Sequence, residues 1–444
     1  MELNEVKELL EQKKFTELKK RLKEMKSADI SALLDELDKE SVVKVFRILS
    51  KEKAGMTFSY MESDRREKLI QDLTDSELKN VMDELFMDDT VDWIEEMPSN
   101  IVPKILKAVS KEDRKTINEL LKYPEDSAGS IMTTEFIDLK EDMTVEDALE
   151  RIRKIGTDSE TIYTSYVLNQ NRVLEGIVNI KEIVLSKKDT KIKDIMETNI
   201  ILVNTLEDQE EVAKKFDKYD YLALPVVDNE KRLVGIVTID DAMNVLQDEV
   251  AEDFEKMAAM QPNEDSYFAT PVWKHAKNRI VWLLVLMLSA IGTGLIITHY
   301  EEAFAVVPLL VSFIPMIMDT GGNCGSQSST LIIRGLATDE IKLKDVFRVL
   351  WKEIRVAVIV GIILAGVNGL RIFVQYQNLQ MAITIGLTIV ATVIISKTLG
   401  CLLPLLAKKL KLDPAIMAAP LITTLVDTLS ILIYFKIAMV VMGI

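Results

Sequence analysis

The sequence predicts a multidomain protein. An all-α superhelical N-terminal domain should be followed by an α/β module made of two copies of one unit, a long connecting helix and a five-helix transmembrane domain. Three observations carry this expectation: charge and polarity change sharply near Pro271, a repeat links residues 131–184 to 195–243, and helical apolar spacing recurs through the first 125 residues. The boundaries expected from them are 1–125, 126–245, 246–270 and 271–444.

In the first segment, stretches such as ISALLDELDKESVVKVFRIL, LKNVMDELFMDDTVDWIEEM and VPKILKAVSKEDRKTINELL place apolar residues at helical spacing between acidic turns. Loose repeats of roughly 20–35 residues stack into a superhelix, because no single unit can bury its own apolar face. The opening MELNEVKELLEQKKFTELKKRL is amphipathic with alternating charge. It lacks the apolar core of a cleavable signal peptide, so membrane insertion is expected from internal spans.

The second segment contains a duplication. IMTTEFIDLKEDMTVEDALERIRK at 131–154 resembles IMETNIILVNTLEDQEEVAKKFDK at 195–218, a shift of 64, and LEGIVNIKEIV resembles LVGIVTIDDAM at a shift of 59, matching Gly176 to Gly235. Each copy reads as short strands with helices. The third segment, DDAMNVLQDEVAEDFEKMAAM, is a helix carrying Asp241, Asp248, Glu249, Glu252, Asp253 and Glu255. Taken alone, such a run of charge is a solvated face.

From Pro271 onward 15 Lys/Arg stand against 9 Asp/Glu, leaving 39 against 61 before it. The first part is therefore strongly acidic. Phosphates would be repelled from it, which excludes a nucleic-acid surface, whereas cations would collect there. Cys324 and Cys401 lie far apart in apolar stretches, so neither a disulfide framework nor a cysteine zinc site is available.

Ile280 to Thr298 is uncharged and 19 residues long, near the roughly 20 needed to cross a bilayer core. Four more spans are expected at Ala303–Ile333, Val356–Phe373, Met381–Leu406 and from Pro414 to the C-terminus. Basic connections stay cytoplasmic. Lys274, Lys277 and Arg279 precede the first span, Arg334 to Arg355 supplies six cations between the second and third, and Lys408, Lys409 and Lys411 lie between the fourth and fifth. That alternation puts the N-terminus inside and the C-terminus outside, and it favours five spans over six.

The second span carries Pro308, Pro315 and a small, polar run from Asp319 to Thr330. Such backbone survives at membrane depth where protein or a water-filled cavity satisfies it, so the run is expected to line a pathway. Close packing through small residues would account for Gly321, Gly322 and Gly325, but less readily for Asn323 and Gln327. In the fifth span Asp413 is an N-cap and Pro414 a first helical residue. Ala419, Thr423, Asp427 and Ser430 then share one face. A carboxylate at the bilayer centre costs about 2.5–3.5 kcal/mol. Asp427 is therefore expected either to bind a cation in a pore or to form an ion pair with Lys397.

PMIMDTGGNCGSQSSTLIIRGLAT and LDPAIMAAPLITTLVDTLSILIYF resemble the signature segments of the MgtE family of magnesium transporters and channels, and the resemblance extends over the whole chain. It implies a helical N domain, a CBS pair, a connecting helix and five spans, with a homodimer building the pore. The family's pore carboxylate falls on Asp427 and its neighbouring carbonyls on Ala419 and Thr423. Mg²⁺ gives up water reluctantly and requires near-octahedral oxygen coordination, so two copies of Asp427 across a dimer axis could select the hydrated ion. The resemblance further implies regulatory Mg²⁺ among Asp88, Asp92, Asp208, Glu210, Asp220, Asp241, Glu249, Glu252, Asp253 and Asp413, closing the pore when internal Mg²⁺ is high. The second CBS copy carries Thr238 and Asp241 in the pattern that contacts the ribose of an adenine nucleotide such as ATP, and the first departs from it with Asn179 and Glu182. Competing readings are transport of Mn²⁺ or Co²⁺, or a membrane-embedded aspartyl hydrolase built on Asp319 and Asp427. A metalloprotease is excluded, since His275 and His299 are the only histidines and no HExxH is present.

Overall fold

The computed structural model describes residues 3–263, 267–268, 270–300, 307–417 and 419–443. It divides into two units, Met1–Gln247 and Asp248–Ile444.

Among the described residues the first unit begins with ten helices. They are α1 Leu3–Glu11, α2 Phe15–Glu24, α3 Ser27–Asp35, α4 Lys39–Ile48, α5 Lys51–Ser59, α6 Ser63–Asp72, α7 Asp75–Met82, α8 Met87–Glu96, α9 Val102–Ala108 and α10 Lys111–Leu120. In the turns, expected to be acidic, one acid and three hydroxyls act as caps: the Asp38, Ser50, Thr74 and Ser110 side chains each accept a backbone N–H of the helix that follows. Short capped helices place their apolar residues inward, as Val42, Val45 and Phe46 of α4 show. From α3 onward helices pack on the helix two positions along, α3 on α5, α5 on α7 and α7 on α9, with α4 on α6 and α8 on α10. This is the expected helical N-terminal domain.

The duplicated segment folds as two matching three-stranded sheets. In the first, β1 (Ile137–Leu139) is parallel to β2 (Thr164–Leu168), which is antiparallel to β3 (Leu174–Asn179). In the second, β4 (Val203–Asn204), β5 (Ala223–Val227) and β6 (Leu233–Thr238) repeat the same order and senses. The helices are α11 (Val145–Ile155), α12 (Ile180–Leu185), α13 (Gln209–Tyr219) and α14 (Ile239–Met257). The two repeat shifts differ by five because the first copy's connection from α11 to β2, 156–163, is five residues longer than the second copy's from α13 to β5, 220–222. Met196 covers Gly176 and Met132 covers Gly235, so closely that a Cβ on either glycine would lie within 2.7 Å of the methionine sulfur. Each copy thus plugs the other's β-strand with the methionine that opens its own repeat.

In the second unit α15 (Val272–His299) is followed by a 3₁₀ turn, Pro308–Phe313, then α16 (Ile314–Ala337), α17 (Val346–Tyr376), α18 (Leu379–Lys409), a second 3₁₀ turn, Pro414–Met417, and α19 (Ala419–Met442). Four segments, Val272–His299, Leu343–Tyr376, Leu379–Lys409 and Pro414–Met442, are long and apolar enough to cross a membrane. The second expected span falls partly on residues 303–306, outside the described residues, and its described part is α16, whose polar run separates it from the other four. Its prolines do not break the helix. Pro308 opens the 3₁₀ turn and Pro315 sits in the first turn of α16, where its missing N–H costs nothing. The fifth expected span likewise opens with a 3₁₀ turn instead of running continuously from Pro414. Asp413 caps that turn, its Oδ1 accepting from the Ala415 amide at 2.8 Å.

Helix α18 sits at the centre of this unit, packed against α16, α17 and α19. Its buried Thr384 and Thr388 hydroxyls donate to carbonyls four residues back, so neither is unsatisfied away from water. At Gly400 the backbone of α16 comes so near that an added Cβ would lie 2.2 Å from the Gly325 carbonyl oxygen. Only glycine fits there.

Candidate functional site

The polar run of α16 separates onto two faces. Gly321, Gly322, Cys324, Gly325, Ser328 and Ser329 are buried, the glycines against Thr392, Ile422, Thr423 and Val426. Asp319, Asn323, Gln327 and Thr330, spaced four, four and three apart, are exposed. An open cavity of about 210 Å³ lies where this exposed stripe meets α19, lined by Met318, Asp319, Gly322, Asn323, Thr423 and Asp427. Asn323 Nδ2 donates to Asp319 Oδ1 at 3.1 Å. The Thr423 hydroxyl donates to the Pro420 carbonyl at 2.9 Å. With water taking about 30 Å³ per molecule in the liquid, the cavity has room for several waters beside two carboxylates. Its lining presents carboxylate, amide and hydroxyl oxygens to that space.

Asp427 and Thr423 therefore share a cavity as their spacing predicts, while Ser430 is buried. The Ala419 side chain lies outside the described residues. Asp319 and Asn323 are additional lining residues; the sequence showed them as a polar run without indicating which of its members share a cavity with Asp427. The alternative ion-pair role for Asp427 is not seen. Lys397 Nζ lies 3.8 Å from Glu353 Oε2 and donates to Ser328 Oγ at 3.1 Å, and that hydroxyl donates to Glu353 at 2.6 Å. Lys397 thus ties α18 to α16 and α17 as a buried network, leaving Asp427 to the cavity.

A second concentration of carboxylates lies within the first unit, between α8 and the duplicated module. Glu135 Oε2 accepts the Met87 amide at 2.9 Å, capping α8 from the module side. Asp88 is 7 % exposed. Burial, then the Asp241, Glu160 and Asp89 carboxylates, push its carboxyl well above the usual range. Burial is also the leading cause for its neighbours: Asp92 and Glu160 are pushed up to about 8, Asp89 and Asp241 to about 6. Arg66, donating to Glu96 at 2.7 Å, is the cation that acts on Asp89. Among the described residues no three such ligands converge closely enough to hold a bare ion. The donor set, oxygen-rich and strongly anionic, suits a hard cation bridged through its own waters.

Other expected ligands are placed apart. Asp208 caps the N-terminus of α13 and Asp220 ends it in a left-handed conformation, φ 54°, about 18 Å away at 1.5 Å per residue. Glu210 pairs with Lys214 at 2.8 Å. Glu249 and Asp253 lie on α14. Glu252 and Asp413 both contact Lys256, at 2.6 and 2.7 Å. Thr238 is buried and its hydroxyl donates to Asp241, which brings the expected nucleotide pair into the acidic cluster.

Known families match the successive segments of the chain. A family model described as the MgtE intracellular N domain matches residues 2–126, CBS domain models match 128–188 and 192–248, and a divalent cation transporter model matches 314–437. The magnesium transporter MgtE of Bacillus subtilis is 34 % identical over 80 % of this chain and 79 % of its own. The chain belongs to the MgtE family. A second MgtE relative, the magnesium transporter of Thermus thermophilus, is 36 % identical over 75 % of this chain and 77 % of its own. The crystal structure of the cytosolic domain of the Mg²⁺ channel MgtE in complex with ATP matches 55 % of this chain and all of that one, at 33 % identity and a TM-score of 0.53. The MgtE relatives are named as transporters, a transport and not an enzymatic role. Membership of the family, with its four apolar helices, makes this a multi-pass membrane protein with a CBS pair.

Proposed function

We propose that this protein carries Mg²⁺ across the cytoplasmic membrane through a pore built by two copies of the chain, and that Mg²⁺ bound to the acidic cytoplasmic surfaces closes it. The observation that carries the pore is the cavity shared by Asp427, Asp319, Asn323 and Thr423. It opens along an exposed polar face that no lipid would tolerate. A second copy presenting the same face would enclose it in water and set two Asp427 carboxylates opposite each other. Ions would then be held through their water shell, which favours small, tightly hydrated Mg²⁺ over the looser coordination of Ca²⁺. In this reading α16 is the second of five spans, with the N-terminus cytoplasmic and the C-terminus outside. The segments 1–125, 126–245, 246–270 and 271–444 are then sensor, CBS module, connecting helix and pore.

For gating, Asp88, Asp92 and Asp241 are the ligands that the geometry favours, because burial has already removed them from solvent and a cation would offset their repulsion. Each bound ion stabilises the closed arrangement by its differential affinity for it. Asp208, Glu210, Asp220, Glu249 and Asp253 remain peripheral contributors. An adenine nucleotide at the CBS module is supported by the relative's complex with ATP. In this reading Thr238 and Asp241 contact its ribose, with its phosphates directed away from the carboxylates around α8.

The test is Mg²⁺ flux into liposomes. Asp427→Ala is expected to abolish or severely reduce uptake while the protein remains a folded dimer. Normal flux, or loss of assembly, refutes the pore assignment. Parallel Mn²⁺ and Co²⁺ flux decides the neighbouring reading.

A further inference from the structure

Three contacts within the second unit fasten the end of α14 to its membrane helices. Lys256 Nζ lies 2.6 Å from Glu252 Oε1 and 2.7 Å from Asp413 Oδ2. Met257 packs with Ile333 of α16 and Ala415 of the turn before α19. The Gln261 amide donates to the Asn278 carbonyl of α15 at 2.9 Å.

Family resemblance makes Glu252 and Asp413 ligands for regulatory Mg²⁺, and the donor set does not fit that role. Both Asp413 oxygens are engaged, Oδ2 by the Lys256 ammonium and Oδ1 by the Ala415 amide. The ammonium bridges the two carboxylates as an inorganic cation would, and its side chain is only 21 % exposed. Glu252 and Lys256 are four residues apart on one helix, the order in which an acidic residue precedes a basic one most favourably. A cation delivered by the same helix needs no capture from solution, so its effective concentration at the site is high. A divalent ion entering there would have to expel the ammonium and leave it half-buried without a partner, a costly exchange.

We propose that Lys256 is a tethered cation that fixes the end of the connecting helix to the head of α19, so that Glu252 and Asp413 form an ion-independent anchor and not a Mg²⁺ site. Lys256 is on this view a positioning residue. Its gating consequence rests on the reading of α19 as the pore helix, but the contact itself does not. Sensing is then confined to the carboxylates around α8 and the start of α14, while the far end of α14 stays attached to the helix it must move.

Hydrogen exchange in the full-length protein in detergent, read over residues 254–263, tests the anchor with EDTA and with Mg²⁺. The native chain should keep its protection in EDTA. Lys256→Gln should exchange about tenfold faster in EDTA, the loss expected for a charge-assisted contact, and recover in Mg²⁺, because a divalent ion can then occupy the vacated place. Lys256→Arg should behave as native. The proposal is overturned if the native chain loses protection in EDTA as the Gln variant does. It is equally overturned if the Gln variant keeps its protection, or if Mg²⁺ fails to restore it, the mark of a merely structural lysine. None of these outcomes depends on flux through Asp427, so failure here and failure of the pore assignment are distinct results.

Discussion

Acidifying the protein in the absence of divalent ions should tighten the contact between α8 and the CBS pair. The groups facing one another there are Asp88, Asp89 and Asp92 from α8, Glu135 and Glu160 from the module, Asp240 and Asp241 from α14, and Arg66 from α6. Asp92 and Glu160, pushed to about 8 first by burial and then by neighbouring carboxylates, hold protons in the joined arrangement that they release when separated and hydrated. A carboxyl whose pKa is raised in one state binds more protons in that state. The joined state is therefore favoured at low pH, and its advantage is lost as pH rises through about 6 to 8. Each group protonated in only one state contributes about 1.4 kcal/mol per pH unit. Two such groups give a ceiling of about 3 kcal/mol between pH 6 and 7, and sharing of protons within the cluster brings this to about 1–3 kcal/mol. Hydrogen exchange of α8 in EDTA, corrected for the intrinsic pH dependence of amide exchange, reads the effect directly. In the same titration the Mg²⁺ concentration needed for protection should rise with pH, since the ion must then supply the stabilisation that bound protons supply at low pH. Asp92→Asn with Glu160→Gln should flatten both trends. Protection in EDTA that is indifferent to pH between 6 and 8 would show these carboxylates to be hydrated and charged, and the reasoning would fail.

Three further outcomes follow from particular contacts. Gly400→Ala drives a methyl group into the Gly325 carbonyl and should cost about 1–3 kcal/mol or more, seen as a lower melting temperature in detergent. Lys397→Met leaves Glu353 buried beside Ser328 without its cation and should cost about 3–5 kcal/mol; the double variant with Glu353→Leu should recover most of it, and failure to recover would mean that the lysine serves something other than this pair. Deleting residues 1 to about 265 should leave a conducting membrane domain that no longer responds to internal Mg²⁺, checked by flux with Mg²⁺ clamped inside the liposome, and a folded fragment that never conducts refutes the separation of sensor from pore.

The duplicated module was legible because its period is written in residue identity. The two shifts, 64 and 59, differ because the connection from helix to strand is five residues longer in the first copy, 156–163 against 220–222, and the structure shows Met132 over Gly235 and Met196 over Gly176. Polar residues between the apolar runs mark helix starts of the N domain for an equally local reason, the hydrogen bond from the Asp38, Ser50, Thr74 or Ser110 side chain to the next amides. What could not be read was which acids meet. Glu135 and Glu160 are ordinary surface letters in the sequence, and only the docking of α8 buries them with Asp88 and Asp241. Lys256 was hidden similarly. Inside a run of acids it reads as a lone compensating charge, and its partner Asp413 stands 157 positions later.

The run from Asp319 to Thr330 has a composition that suits both close packing and a polar pathway, and the helix accommodates both. Glycine and serine are needed on the side that meets α18 and α19, where backbones approach too closely for a Cβ. Asp319, Asn323 and Gln327 occupy the other side, turned away from that packing. A helical period of 3.6 is what lets one dozen residues serve a tight crossing and a hydrated cavity at once. The two tasks are also coupled. Gly322, packed against Thr423, sets how near Asp319 and Asn323 stand to Asp427, so a larger residue there would widen the cavity before it disturbed the rest of the fold. If the cavity selects a hydrated ion by fixed oxygens, as proposed, that selection depends on this spacing, and Gly322 would be part of the ion site although it has no side chain to bind an ion.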